Sequence, residues 1–226
     1  MTAQPAELPP IELPPIEAVF FDFGGVFIAS PFAAVHEAAA RHGIGGDELI
    51  DLVFGPYDHD TDHPWHQLER GETTFDAARS AITALSEERG LGSLDPIAVL
   101  SELSTGYDVR EFMVQAVRDL RARGIKTAII TNNIAEFGSM WRAMIPIDEL
   151  FDDIVDSSSV GVRKPDPAIF ELACERVEVA PTSAAFIDDY LGNVTGANAV
   201  GLRGVWCGYS VDTTRKALAE LLAIIG

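Results

Sequence analysis

An α/β fold with a parallel sheet is predicted by three features of the chain. Short apolar runs alternate with helical patterns. The runs are continuous rather than alternating, as strands covered on both faces read. Chemically capable polar residues stand at or just past the ends of those runs. Alternation of this kind implies helices on both faces of the sheet. Ligands then bind at the carboxyl ends of its strands.

The elements follow in order. Residues 1–17 read as a flexible Pro-rich arm, because the tandem E-L-P-P-I at 7–11 and 12–16 favours extended structure over helix. Ala18–Phe23 is the first strand, ended by Gly24 and Gly25. Residues 30–107 interrupt the alternation and read as a helical insert, or cap, with breaks at Gly43–Gly46, Gly55-Pro56 and Gly90–Gly92. The core is therefore expected at 18–29 and 108–226. In 112–123, Met113, Ala116, Val117 and Leu120 share one face, and Gly124 is placed to end the helix. Further strands are expected at Lys126–Ile130, Phe151–Val155, Ala184–Ile187 and Gly204–Cys207. Helices are expected at 167–178, opened by Pro-Asp-Pro, and at Thr213–Ile225. Ser157–Gly161 reads as flexible.

Composition limits the function. The chain has 226 residues, 47% of them hydrophobic, which suits one domain plus an insert. A net charge of −19 argues against nucleic-acid or anionic-membrane partners, which need Lys and Arg. Any phosphate site must use local positive charge, since repulsion is screened beyond roughly 8–10 Å. No apolar run is long enough to span a bilayer, and the N-terminus does not read as a secretory signal. Cys174 and Cys207 cannot build a disulfide framework and fit a reducing, cytoplasmic setting.

Four stretches carry chemistry. Asp22 ends a buried strand before a Gly-Gly turn, where it suits a nucleophile that accepts a phosphoryl group. Gly24 and Gly25 would let the backbone approach a ligand closely. Thr131 ends the second strand, and its hydroxyl and the following amides, with Asn132 and Asn133, can bind phosphoryl oxygens. Lys164, in G-V-R-K-P-D-P, can serve as a point charge on such an oxygen. Asp188 and Asp189 close F-I-D-D. Carboxylates converging there with Asp22 would need a cation, and Mg²⁺ supplies one with oxygen ligands. Each stretch alone has an ordinary explanation as a turn, a helix cap or a surface residue. Their order and shared placement at strand ends argue for a site.

The segment Tyr57–His66 holds three His and three Asp but no regular metal-ligand spacing, and Pro64 interrupts any helix there. It reads as a polar loop near the site entrance rather than a zinc site.

At these residues the chain resembles the haloacid dehalogenase (HAD) superfamily, in particular phosphatase-like members with a helical cap after the first strand. It is similar to the branch that includes the N-terminal domain of soluble epoxide hydrolases. The resemblance covers about residues 18–208; in the insert only Leu68-Glu69-Arg70-Gly71-Glu72 matches. It implies a Rossmann-like parallel sheet of order 5-4-1-2-3. It also implies Asp22 as nucleophile and Mg²⁺ ligand, the Gly24 carbonyl as a further ligand, and Asp189 as the acidic ligand. Thr131 and Asn132 would bind phosphate. Lys164 would stabilise the nucleophile and the phosphoaspartate. Asp188 and Asn193 would support.

The departure is Gly24, which stands where the family's phosphatases carry an Asp that protonates the leaving group and activates water. The expectation is a Mg²⁺-dependent phosphohydrolase of a small phosphorylated metabolite, impaired toward poor leaving groups unless water, His63 or His66 supplies the proton. A phosphate- and Mg²⁺-binding protein without turnover is the alternative, with a 2-haloacid dehalogenase as a third reading. Neither the substrate nor the oligomeric state is written in a readable motif.

Overall fold

The structure is a computed structural model that describes residues 14–96, 98–99 and 108–226. Most of the expected Pro-rich arm, residues 1–13, lies outside the described residues, as does the expected end of the insert at 100–107. What is described of the arm is held in place. Ile16 is buried, and the Glu17 amide donates to the Ser183 carbonyl at 2.8 Å.

Five strands form one parallel sheet: β1 (Ala18–Phe21), β2 (Lys126–Thr131), β3 (Asp153–Asp156), β4 (Ala184–Asp188) and β5 (Arg203–Trp206). Their spatial order is β3-β2-β1-β4-β5, the expected order read from the other edge. The continuous apolar runs are explained by burial on both faces. Val19, Phe21, Ile129, Ala185 and Ile187 enter one apolar cluster, and Ala18, Phe20, Ala128, Ile130 and Phe186 enter another. Each fully buried Val, Ile or Phe side chain of this set contributes about 1.5–3 kcal/mol.

The helix Glu111–Ala122 buries Met113, Ala116, Val117 and Leu120 against the sheet, as their spacing predicts. Gly124, with φ of 79°, follows its end. The helix Pro167–Arg176 starts where Asp166 accepts from the Ala168 amide at 2.8 Å. The last helix, Val211–Ile225, begins two residues before the expected start, because Ser210 and Thr213 form a reciprocal cap.

Two local expectations are corrected. Ser157–Gly161 is not a flexible stretch: Ser157–Val160 is a helical turn, capped by Asp156, which accepts from the Ser158 amide at 3.2 Å. Pro64 does not interrupt a helix but opens one, Pro64–Glu69, where its missing N–H costs nothing. The His63 ring nitrogen Nδ1 caps it by accepting from the Trp65 amide at 3.2 Å.

Between β1 and the helix Glu111–Ala122, four described helices build a separate apolar cluster: Pro31–His42, Gly46–Val53, Pro64–Glu69 and Phe75–Glu88. Ile134, Tyr190 and Tyr209 join that cluster from loops that follow β2, β4 and β5. The insert therefore packs over the carboxyl end of the sheet.

Candidate active site

The register of the sheet brings the chemistry together. Phe21 of β1 pairs with Ile129 on one side and Ile187 on the other. Asp22 then lies between the ends of β2 and β4, and its amide continues the ladder to the Ile187 carbonyl at 2.9 Å. Asp22, Asp188 and Asp189 each offer a carboxylate oxygen, and these oxygens lie within 4.8 Å of one another. All three residues are buried.

Lys164 reaches into this cluster from the loop before the helix Pro167–Arg176. Its ammonium donates to Asp22 Oδ1 at 2.8 Å and to Asp188 Oδ2 at 2.7 Å. Burial works against that ammonium, but Asp188 and Asp22 outweigh it, and its pKa is raised. Burial pushes the Asp22 carboxyl up to about 6, against the pull of Lys164 and with a further push from Asp188.

The two neighbouring aspartates differ. Asp188 accepts from Lys164, from the Tyr190 amide at 2.7 Å and from Asn193 Nδ2 at 3.1 Å. Asp189 Oδ2 is buried with no hydrogen-bond partner among the described residues. Burial, then Asp188 and Asp22, hold its pKa well above the ordinary carboxylate range. An orphaned carboxylate oxygen beside two further carboxylates fits a hard divalent cation, which takes oxygen ligands and offsets like charge.

The turn after β1 is shaped to this cluster. Gly25 has φ of 70°, and a Cβ there would lie 2.6 Å from Asp189 Cβ and closer still to its carboxylate. Gly24 is open by contrast, with nothing nearer a built Cβ than Pro31 Cδ at 3.8 Å. Arg110, 85 residues away, fixes the turn by donating to the Gly25 carbonyl and to Thr214 Oγ1 at 2.9 Å. No local sequence pattern marks Arg110, because its side-chain partners lie at least 84 residues away along the chain.

Thr131 is buried at the end of β2. Asn132 clamps the Lys164 peptide with its side chain. Its Oδ1 accepts from the Lys164 amide at 2.8 Å, and its Nδ2 donates to the Lys164 carbonyl at 3.0 Å. Its side-chain amide is thus already engaged.

Arg163 also escaped notice in the sequence. It is fully buried, donates from Nε to Glu69 Oε2 at 2.6 Å, and lies over the Tyr57 ring at 4.7 Å. Glu69 lies in Leu68-Glu69-Arg70-Gly71-Glu72, the stretch of the insert that resembles the family.

His63 and His66 are not open loop residues. Burial lowers the His66 pKa to about 3 and that of His63 to about 4. His66 Nδ1 accepts from the Thr61 amide at 3.1 Å. Both rings are neutral at pH 7 and occupied by the fold of the insert. Among the described residues, Asp22, Asp188 and Asp189 form the group of His, Cys, Asp or Glu gathered closely enough for a metal; the Tyr57–His66 segment forms none.

Comparison with known proteins agrees with this architecture. A family model described as a haloacid dehalogenase-like hydrolase matches residues 16–201. The chain belongs to that family of hydrolases. A phosphatase of Mycobacterium tuberculosis is 28% identical over 92% of this chain and 94% of its own length. A sesquiterpene phosphatase of Aspergillus oryzae is 32% identical over 72% of this chain and 79% of its own. Acyl-CoA dehydrogenase family member 10 of mouse is 32% identical over 92% of this chain, and mouse bifunctional epoxide hydrolase 2 is 26% identical over 91%. The chain spans only 19% and 38% of those two relatives. A magnesium complex of a HAD family enzyme from Bacteroides thetaiotaomicron shares the fold, with a TM-score of 0.60 at 19% identity over 88% of this chain and 96% of that one. Several of its relatives are phosphatases, and no helix among its described residues is long and apolar enough to cross a membrane.

Proposed function

We propose that the protein is a Mg²⁺-dependent phosphohydrolase of small phosphorylated metabolites, working through a phosphoryl-enzyme on Asp22. One observation carries the reading: a buried carboxylate trio in which one lysine bridges Asp22 and Asp188 while Asp189 keeps an unpartnered oxygen. Its phosphatase relatives support it.

Asp22, Asp189 and the Gly24 carbonyl would hold Mg²⁺, which when bound neutralises charge on the phosphoryl oxygens. Lys164 engages Asp22 Oδ1, so Oδ2 would be the oxygen that attacks phosphorus. A bond forms from Oδ2 to phosphorus as the ester oxygen departs with its electron pair. Water then attacks phosphorus, releases inorganic phosphate and restores the carboxylate. Thr131 and the main-chain amides beside it would bind phosphoryl oxygens. Lys164 keeps Asp22 ionised at neutral pH despite its burial. The helical insert would act as a cap that excludes bulk water.

Gly24 leaves the departing oxygen without a carboxylic acid, and His63 and His66, whose pKa values burial lowers to about 4 and about 3, are poor proton donors at neutral pH. A positioned proton donor is worth roughly 10²–10⁴-fold. Aryl, acyl and anomeric phosphates should therefore turn over far faster than alkyl phosphates with Mg²⁺ present. Equal rates across that series would contradict the reading. The same glycine favours a second reading, a phosphate-binding protein without turnover. Mg²⁺-dependent hydrolysis of p-nitrophenyl phosphate that disappears in Asp22→Asn eliminates it.

A further inference from the structure

Glu69 is a buried carboxylate to which the mechanism above gives no task. Its Oε1 accepts from the Tyr57 hydroxyl and from Trp65 Nε1, both at 2.8 Å. Its Oε2 accepts from Arg163 Nε at 2.6 Å. Arg163 immediately precedes Lys164. The Tyr57 hydroxyl lies 3.5 Å from Asn132 Nδ2, and Asn132 grips the Lys164 peptide on both its amide and its carbonyl. Two routes therefore lead from one carboxylate of the insert to one peptide of the core. The first runs along the chain through Arg163, the second across space through Tyr57 and Asn132.

We propose that Glu69 is a positioning residue for Lys164, which makes the phosphoryl site complete only when the insert is docked. The proposal rests on reading the Asp22 cluster as that site. A buried ion pair is weak evidence for net stability, because desolvation offsets most of its attraction. What the Glu69–Arg163 pair does supply is a fixed place for the residue next to Lys164. Burial opposes the Arg163 charge, but Glu69 outweighs it, and the Arg163 pKa is raised. Arg163 Nη1 and Nη2 have no hydrogen-bond partner among the described residues; Nη1 only pairs with Asp60 Oδ1 at 3.6 Å, so the Nε contact to Glu69 is the hydrogen bond that orients the guanidinium.

Two quantities test this: the affinity for inorganic phosphate by calorimetry with Mg²⁺, and kcat on p-nitrophenyl phosphate. Both are read well below each variant's unfolding temperature. Glu69→Gln keeps an acceptor for Tyr57 and Trp65 but removes the charge facing Arg163. It should weaken phosphate binding and lower kcat, each by about 10–100-fold, as loss of an orienting partner does. Tyr57→Phe should give a smaller loss, and the double variant less than the product of the two. Arg89→Gln breaks an ion pair internal to the insert, Arg89 to Asp51 at 2.7 Å, and should leave both quantities unchanged. Glu69→Gln with a lowered Tm but wild-type phosphate affinity and kcat would make Glu69 a strut and overturn the proposal. If Glu69→Gln does not fold, Tyr57→Phe decides, since it keeps the ion pair; unchanged phosphate affinity there overturns it. A wild-type protein that binds phosphate but turns over no ester removes the phosphohydrolase reading alone. One that binds no phosphate removes both.

Discussion

The carboxyl edge of the sheet and the interior of the helical insert both bury charged groups, yet they compensate them differently. At the edge, Lys164 pairs with Asp22 and Asp188, and Asp189 Oδ2 has no hydrogen-bond partner among the described residues. In the insert, Glu69 has Arg163, Tyr57 and Trp65, while His63 and His66 stay neutral. Buried polar groups that satisfy one another serve architecture. Buried charge left over marks where a ligand completes the balance. The two regions meet at the Arg163–Lys164 step, where Glu69 with its three donors gives way to Asp22 and Asp188, which share one lysine.

The largest effect should come from two adjacent glycines of the edge. Gly25→Ala forces a Cβ into Asp189 at a positive φ. Left-handed strain and overpacking together should destabilise by about 2–5 kcal/mol. Gly24→Ala meets open space and should stay within about 1 kcal/mol of wild type. Urea denaturation of both variants reads the contrast, and equal losses would dissolve the tight fit of turn and carboxylate. The same space at position 24 admits Gly24→Asp, which should speed alkyl phosphates more than aryl ones.

Metal addition should separate edge from insert next. Without a cation, Asp22 in the folded protein holds its proton up to about pH 6, whereas an unfolded Asp releases it near pH 3.9. This raised pKa contributes stability below about pH 4 that is lost as pH rises through 6. Mg²⁺ competes with that proton, so it should stabilise more at pH 7.5 than at pH 5. At 100 times its dissociation constant the gain is about 2.7 kcal/mol. Thermal unfolding with and without Mg²⁺ at the two pH values measures it. A shift independent of pH, or one retained in Asp22→Asn, would remove the ion from this edge.

The same contrast explains what the sequence disclosed. Strands covered on both faces must be continuous apolar runs, so Val19–Phe21 and Ala184–Ile187 announced themselves, and with them the polar residues at their ends. Asp22, Asp188 and Asp189 were legible because sheet register alone brings them together. The insert offered no such frame. Glu69 and Arg163 are 94 residues apart, and no local pattern links them. Pro64 and His63 misled because a proline that opens a helix resembles one that ends it until the cap is seen. Ser157–Val160 hid for a similar reason: its single turn depends on the Asp156 cap and on Gly161 rather than on apolar spacing.

The smallest effect concerns the histidines of the insert, and its sign is opposite to that of the edge. An unfolded His63 takes up a proton near pH 6.5, but the folded one resists until about pH 4, because burial disfavours its charge. Between those values the unfolded chain binds more protons, so stability falls as pH drops from 6.5 toward 4. Complete exclusion would give about 1.4 kcal/mol per pH unit, and partial exposure of the ring trims this to roughly 1. His63→Asn removes the titration but keeps an acceptor at a position where Asn caps helices well. Its unfolding free energy should therefore fall less steeply than that of wild type between pH 6.5 and 4.5. The carboxylates of the edge titrate identically in both proteins, so the difference in slope isolates the insert. Parallel slopes would mean that the ring charges freely where it stands, and that the insert tolerates uncompensated charge as readily as the edge.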